Sequence, residues 1–161
     1  MKSIRYALAL VMIVAVGCGH DIGDNCLSSA DCDPNGTRAC DLSQPGGYCT
    51  IVGCDEKTCP SDSACIRYFP EKFLDMSMPC NPACEDFDCP EGRQDVCTAD
   101  EICLDSGLCA KRASELRQCA KTCSDNGDCR GGYICRKTGT GGSMLLSTNP
   151  TAMTSFCSPA P

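Results

Sequence analysis

Apolar residues are distributed unevenly along this chain. A single long apolar run, residues 6–16 (YALALVMIVAV), follows a short basic start that carries Lys2 and Arg5. The run falls well short of the ~20 residues that span a bilayer as a helix. It has the length of the apolar core of an export signal, so residues 1–17 read as a leader peptide. Beyond it, neither a helical nor a strand period is sustained. Short apolar alternations at 47–52 (GYCTIV) and 132–135 (GYIC) predict brief strands. Asp33-Pro34-Asn35-Gly36 and Gln44-Pro45-Gly46-Gly47 predict turns. Residues 110–121, rich in Ala, Lys, Arg, Leu and Glu, predict a helix. A second short helix is expected to start at Pro70 and run through Phe73 and Leu74. Residues 136–156 lack cysteine and predict a mobile loop closed by Cys157, with Met144, Leu145 and Leu146 as an apolar trio inside it.

Composition explains how so little apolar pattern can fold. The chain has 161 residues, 19 cysteines and no Trp. Leu, Ile, Val and Phe together fall well below the ~20% under which a chain stays disordered without other support. Cysteine lies above the ~8–10% that marks a disulfide scaffold. Disulfides must therefore hold the fold, which implies an oxidising compartment outside the cytoplasm. The expected fold class is small and disulfide-rich, mostly irregular, with short β-hairpins, one or two short helices and little regular core.

The residues after the apolar run refine the export reading. Ala15-Val16-Gly17-Cys18 places small residues directly before a cysteine. This resembles the lipobox of bacterial lipoproteins, although Ala15 stands where that family usually carries Leu. The resemblance implies that Cys18 is diacylglycerylated, that residues 1–17 are removed and that the new N-terminus is acylated (palmitate being a common acyl group). Gly19, rather than Asp, after the lipid cysteine implies an outer-membrane destination. Removing Cys18 from the 19 cysteines leaves an even number for pairing. Residues 18–25 then read as a tether that keeps the folded part close to the bilayer, since seven residues reach only about 25 Å when fully extended.

Internal similarity organises the remainder. CLSSADC (26–32) and CSDNGDC (123–129) share a C-x5-C frame, CDEKTCP and CEDFDCP share an acidic start and a Cys-Pro end, and GGYC and GGYIC are related. These frames resemble short cysteine repeats in surface lipoproteins of myxobacteria and related delta-proteobacteria. Three lobes are expected. The first, 26–69, holds Cys26, Cys32, Cys40, Cys49, Cys54, Cys59 and Cys65. The second, 80–109, holds Cys80, Cys84, Cys89, Cys97, Cys103 and Cys109. The third, 110–161, holds Cys119, Cys123, Cys129, Cys135 and Cys157 and contains the loop 136–156. The odd count in the first lobe requires a bridge that leaves it. For the last lobe we read Cys123–Cys135 and Cys129–Cys157; the other pairings stay open.

Candidate chemistry is sparse. His20 is the sole histidine, which removes Ser-His-Asp and Cys-His catalysis. No cofactor motif and no C-x2-C zinc spacing occurs. Asp31, Asp33 and Asn35, followed by Gly36, match the first half of a calcium loop, but Leu42 stands where a bidentate Glu is needed, so a turn is the expected reading. The net charge of −7 becomes −9 once Lys2 and Arg5 are removed, which argues against a nucleic-acid partner. Acidic residues crowd 85–101 and basic ones 111–121. The expected function is that of a non-catalytic module acting through protein contact at the envelope, with membrane contact through the lipid. Adhesion, envelope assembly and contact-dependent gliding motility are the settings the resemblance implies. The alternative is a protease-inhibitor-like module presenting 136–156.

Overall fold

The computed structural model describes residues 19–82, 96–149 and 152–161. The leader, Cys18, Cys84, Cys89 and the acidic stretch 85–95 lie outside the described residues. The described fold is built of short antiparallel strands, one single-turn helix and 3-10 turns, crosslinked by eight disulfides. Helix α1 (Ser29–Cys32) precedes a two-stranded ribbon, β1 (Ala39–Cys40) with β2 (Cys49–Thr50). The central sheet places β3 (Ser63–Tyr68) between β7 (Leu116–Lys121) and β9 (Ser143–Leu145). A second three-stranded sheet has β6 (Leu108–Lys111) between β4 (Leu74–Pro79) and β5 (Glu101–Cys103). A ribbon of β8 (Tyr133–Lys137) with β10 (Ser155–Pro159) completes the strands. Among the described residues no helix is long and apolar enough to cross a membrane.

One crosslinking pattern recurs three times. Two cysteines with four or five residues between them bond to two cysteines that face each other across an antiparallel pair. Cys26 and Cys32 bond to Cys40 and Cys49, which are opposite in β1 and β2. Cys54 and Cys59 bond to Cys65 and Cys119, opposite in β3 and β7. Cys123 and Cys129 bond to Cys135 and Cys157, opposite in β8 and β10. A variant in the second lobe joins Cys97 to Cys109 and Cys80 to Cys103, with Cys103 facing Cys109. The turns are alike too. The Asp31 carboxylate accepts the amides of Leu27 and Ser28, and Asp128 accepts those of Ser124 and Asp125. Each side chain closes its turn on backbone donors that would otherwise be left open.

The bridge Cys59–Cys119 is the one the first lobe's odd count required, and it fastens that lobe to β7. The pairing read for the last lobe is the one found. The core is small and discontinuous. Ile22, Tyr48, Cys54, Cys65, Cys119, Tyr133 and Cys157 pack as one buried group. Ile66, Ala120 and Phe156 form a second, and Phe69, Leu104 and Ala110 a third. Sulfur thus occupies much of the volume that Leu and Val fill elsewhere.

Three expectations are corrected. Residues 110–121 are not helical. They finish β6, make a 3-10 turn at Arg112–Ser114 and continue as β7. Helix propensities differ by only ~0.7 kcal/mol per residue or less. Cys119, bonded to Cys59 and held opposite Cys65, fixes an extended conformation against that preference, and Ala120 buries beside Ile66 and Phe156. The stretch from Pro70 makes only a 3-10 turn, Glu71–Phe73, before β4. Within 136–156, the described part is not a slack loop. β9 joins the central sheet, Thr138 donates its amide to the Thr154 carbonyl, and Leu145, Met144 and Leu146 each pack on a different buried group.

Candidate protein-contact site

The first lobe, the 3-10 turn at Arg112–Ser114 and the start of β7 meet at an open depression of about 660 Å³. Its lining includes Asp41, Val52, Arg112, Leu116, Arg117 and Gln118. Each wall is held by a different device. The β1–β2 turn closes with Asp41 and Tyr48 exchanging both backbone hydrogen bonds, at 2.9 and 3.1 Å. The Asp41 carboxylate accepts from the Ser43 amide at 3.0 Å, the Ser43 hydroxyl at 2.6 Å and Gln44 Nε2 at 2.9 Å. Burial pushes that carboxyl up, but these donors together hold it below its usual value. Gly47 is required at the end of this turn. Its φ is +68°, and a Cβ there would collide with the Cys26 carbonyl.

Residues after β2 run alongside β7. The Cys119 amide donates to the Ile51 carbonyl at 3.1 Å, and the Gly53 amide to Arg117 at 2.8 Å. The buried Thr50 hydroxyl donates to the Cys119 carbonyl at 2.7 Å, and the Tyr48 hydroxyl accepts the Lys121 amide at 2.9 Å. These bonds and the Cys59–Cys119 bridge leave the walls little freedom to move apart. Val52 stands opposite Gln118 in an isolated β-bridge. Alternation along β7 then puts Leu116 on the same side as Gln118.

The depression carries an unusual amount of exposed apolar surface for so polar a chain. Val52 is 68% exposed and Leu116 61%, while Leu42, between the lining residues Asp41 and Ser43, is 66% exposed. Beneath lies an ion network. Arg67 holds Glu115 with two parallel bonds, Nε to Oε1 at 3.0 Å and Nη2 to Oε2 at 2.7 Å, and Arg117 Nε bonds the same carboxylate. Burial alone would raise the Glu115 carboxyl, yet the two guanidinium groups together keep it lowered and ionised. Arg67 and Arg117 are thus both engaged by Glu115 at this junction, and Arg112 and Asp41 also line the depression.

The residues singled out from the sequence are placed elsewhere. Asp31 and Asp33 serve two separate turns. Asp31 closes the α1 turn, and Asp33 accepts the amides of Asn35 and Thr37 and the Thr37 hydroxyl. Asn35 is exposed in that same turn. Groups of three potential metal ligands among the described residues are all cysteines, and all of these are in disulfides. His20 donates Nδ1–H to the Asn25 carbonyl at 2.8 Å, away from the depression. Sequence reasoning missed Leu42, Val52 and Leu116. Leu42 and Leu116 are lone apolar residues among polar neighbours, and Val52 ends a short apolar run whose exposure the sequence does not reveal.

No protein-family model matches the chain, and no solved structure matches it. Over 139 residues it is 27% identical to Papilin of Drosophila melanogaster. That alignment covers 80% of this chain but 4% of the relative's length. With 19 cysteines in the chain, shared cysteine spacing can supply a large part of such identity.

Proposed function

We propose that this chain is a membrane-anchored, non-catalytic module that acts by protein–protein contact at the cell envelope, held at the outer membrane by lipid on Cys18. The observation that carries the contact reading is the depression lined by the exposed side chains of Val52 and Leu116. Exposed apolar side chains on a crosslinked, preorganised frame bind a partner without a large ordering cost, and arginines around an apolar centre are typical of contact hot spots. The lipid reading is supported by the small residues before Cys18 and by cysteine parity. Sixteen cysteines pair among the described residues, and Cys18, Cys84 and Cys89 remain, an odd number.

Metabolic labelling with a fatty-acid probe tests the anchor. Wild type should incorporate the probe and Cys18→Ala should not; equal or absent labelling of both contradicts it. Co-purification from the labelled strain tests the contact. Leu116→Asp should lose a protein that wild type retains, and an unchanged set of co-purifying proteins contradicts the assignment.

One observation favours the protease-inhibitor-like alternative. Segment 138–149 is fixed rather than slack, because the Glu56 carboxylate accepts from the Thr148 amide at 3.0 Å and from the Ser147 and Thr148 hydroxyls at 3.2 Å each. A blocking loop needs such preorganisation. Inhibition of any member of a protease panel at stoichiometric concentration would support it, and a panel without inhibition would end it.

A further inference from the structure

The segment expected to be a tether is folded. The His20 amide donates to the Asp31 carbonyl at 3.1 Å. The Arg38 guanidinium bonds the His20 carbonyl and lies 3.5 Å from an Asp21 carboxylate oxygen. Ile22 is 1% exposed and packs in the group that contains Tyr48 and Cys54. The Gly23 amide donates to the Cys49 carbonyl at 2.9 Å, and the Cys49 amide returns to Asp24 at 3.0 Å. Residues 20–25 are thus one more strip of the first lobe. Gly19, the residue after Cys18, lies so close to the Cys32 carbonyl at the end of α1 that a Cβ there would collide with it.

The surface beside this point has one conspicuous apolar side chain. Leu27 is 86% exposed, the highest value among the large exposed apolar residues. It is tied to the anchor end through Asp31, whose carbonyl holds His20 and whose carboxylate holds the Leu27 and Ser28 amides. The Leu116 end of the depression lies further off. Lys121 packs against Gly23, and Leu116 is five residues back along β7. At ~3.4 Å per residue that is about 17 Å of strand.

Resting on the lipid reading of Cys18, we infer that the acyl anchor fixes the orientation of the whole module. The α1 turn lies against the bilayer, Leu27 enters its interfacial layer, and the depression is held away from the lipid and open to a partner. A flexible tether would let the module tumble; a docked one does not. The surface it fits is a zwitterionic phospholipid face. Asp21, Asp24, Asp31 and Asp33 line this end of the chain, and Arg38 is engaged with Asp21, so nothing here draws in anionic headgroups.

The absence of Trp makes the test clean. Leu27→Trp and Leu116→Trp variants, purified with their lipid, are placed in phosphatidylcholine vesicles that carry brominated acyl chains. Leu27→Trp emission should be blue-shifted and quenched several-fold more than that of Leu116→Trp, as expected for a side chain ~5–10 Å into the interface. A Gly/Ser spacer of about ten residues between Cys18 and Gly19, spanning ~17 Å on average, should abolish that quenching while the protein stays on the vesicles. Vesicle-bound protein with equal quenching at both positions, with none at position 27, or with quenching that survives the spacer overturns the fixed orientation and leaves the lipid reading standing. Protein that fails to float with the vesicles and has an unacylated intact mass overturns the lipid reading, and the orientation with it.

Discussion

Glu115 shows how one residue joins stability to the proposed contact. Its carboxylate side chain is 13% exposed and that of Arg67 is 16% exposed, so the pair is largely out of water. Removing one partner leaves the other charge buried and uncompensated, which costs far more than losing a surface pair. Glu115→Ala should therefore lower unfolding stability by about 3 kcal/mol in urea titrations. Arg117→Ala, with a side chain 44% exposed, should cost less than ~1 kcal/mol. Val52→Asp and Leu116→Asp should change stability by no more than ~0.5 kcal/mol, because these side chains already face water. The same two substitutions should weaken partner capture at least ~10-fold, or ~1.4 kcal/mol, in a titrated binding assay. Loss of capture together with loss of fold would refute that separation.

At the scale of elements, the disulfides decide what the chain's local preferences leave open. Cys59–Cys119 closes a separation of 60 residues, whereas Cys123–Cys135 closes 12. Chain entropy ranks their contributions at about 4 and about 3 kcal/mol. Replacing both members of each bridge by Ala and comparing unfolding midpoints should reproduce that order. The larger loss should come with exposure of Val52 and Leu116 to proteolysis, since the bridge holds the first lobe on β7. The same contrast explains what could be read from the sequence. The turns at 33–36 and 44–47 were legible because Asp, Pro, Asn and Gly act on their own backbone. The last lobe's pairing was legible because four of its cysteines form one compact frame. β7 was not, since its extended state is imposed by Cys59, sixty residues away. The docking of 19–25 was hidden for a similar reason. Ile22 is a single apolar residue in a polar stretch, and its partner Tyr48 lies 26 residues on, inside the Cys32–Cys49 loop. Ile22→Ala should cost about 2–4 kcal/mol by the usual penalty for emptying a buried site.

At the scale of the whole molecule, depressed carboxyl values predict an acid-sensitive crosslinked frame. Asp31, Asp33, Asp55, Glu56, Asp100, Glu101, Glu115 and Asp128 all titrate below their usual values. For Asp100 the Thr98 hydroxyl and then Lys111 bring the value to about 2. A carboxyl with a depressed folded value stabilises the fold above its unfolded value, and that contribution fades as pH falls through the folded one. Denaturant midpoints should accordingly be level near neutrality and decline between about pH 4 and pH 2. Desolvation acts in the opposite direction on Tyr48, pushed up to about 12. Its contribution is complete below the unfolded tyrosine value and should be lost as pH rises from about 10 to 12. With the bridges intact the loss at either end should be reversible, whereas reduction should unfold the chain at any pH.

Site-specific photocrosslinking in the host envelope tests the proposed contact most directly. A benzophenone side chain introduced at Leu116 should yield a discrete protein adduct after illumination, weakened by Val52→Asp, while the same group at Leu27 should yield lipid adducts. Lipid adducts at Leu116, or no protein adduct there in a strain where the module is exported and oxidised, would contradict the account.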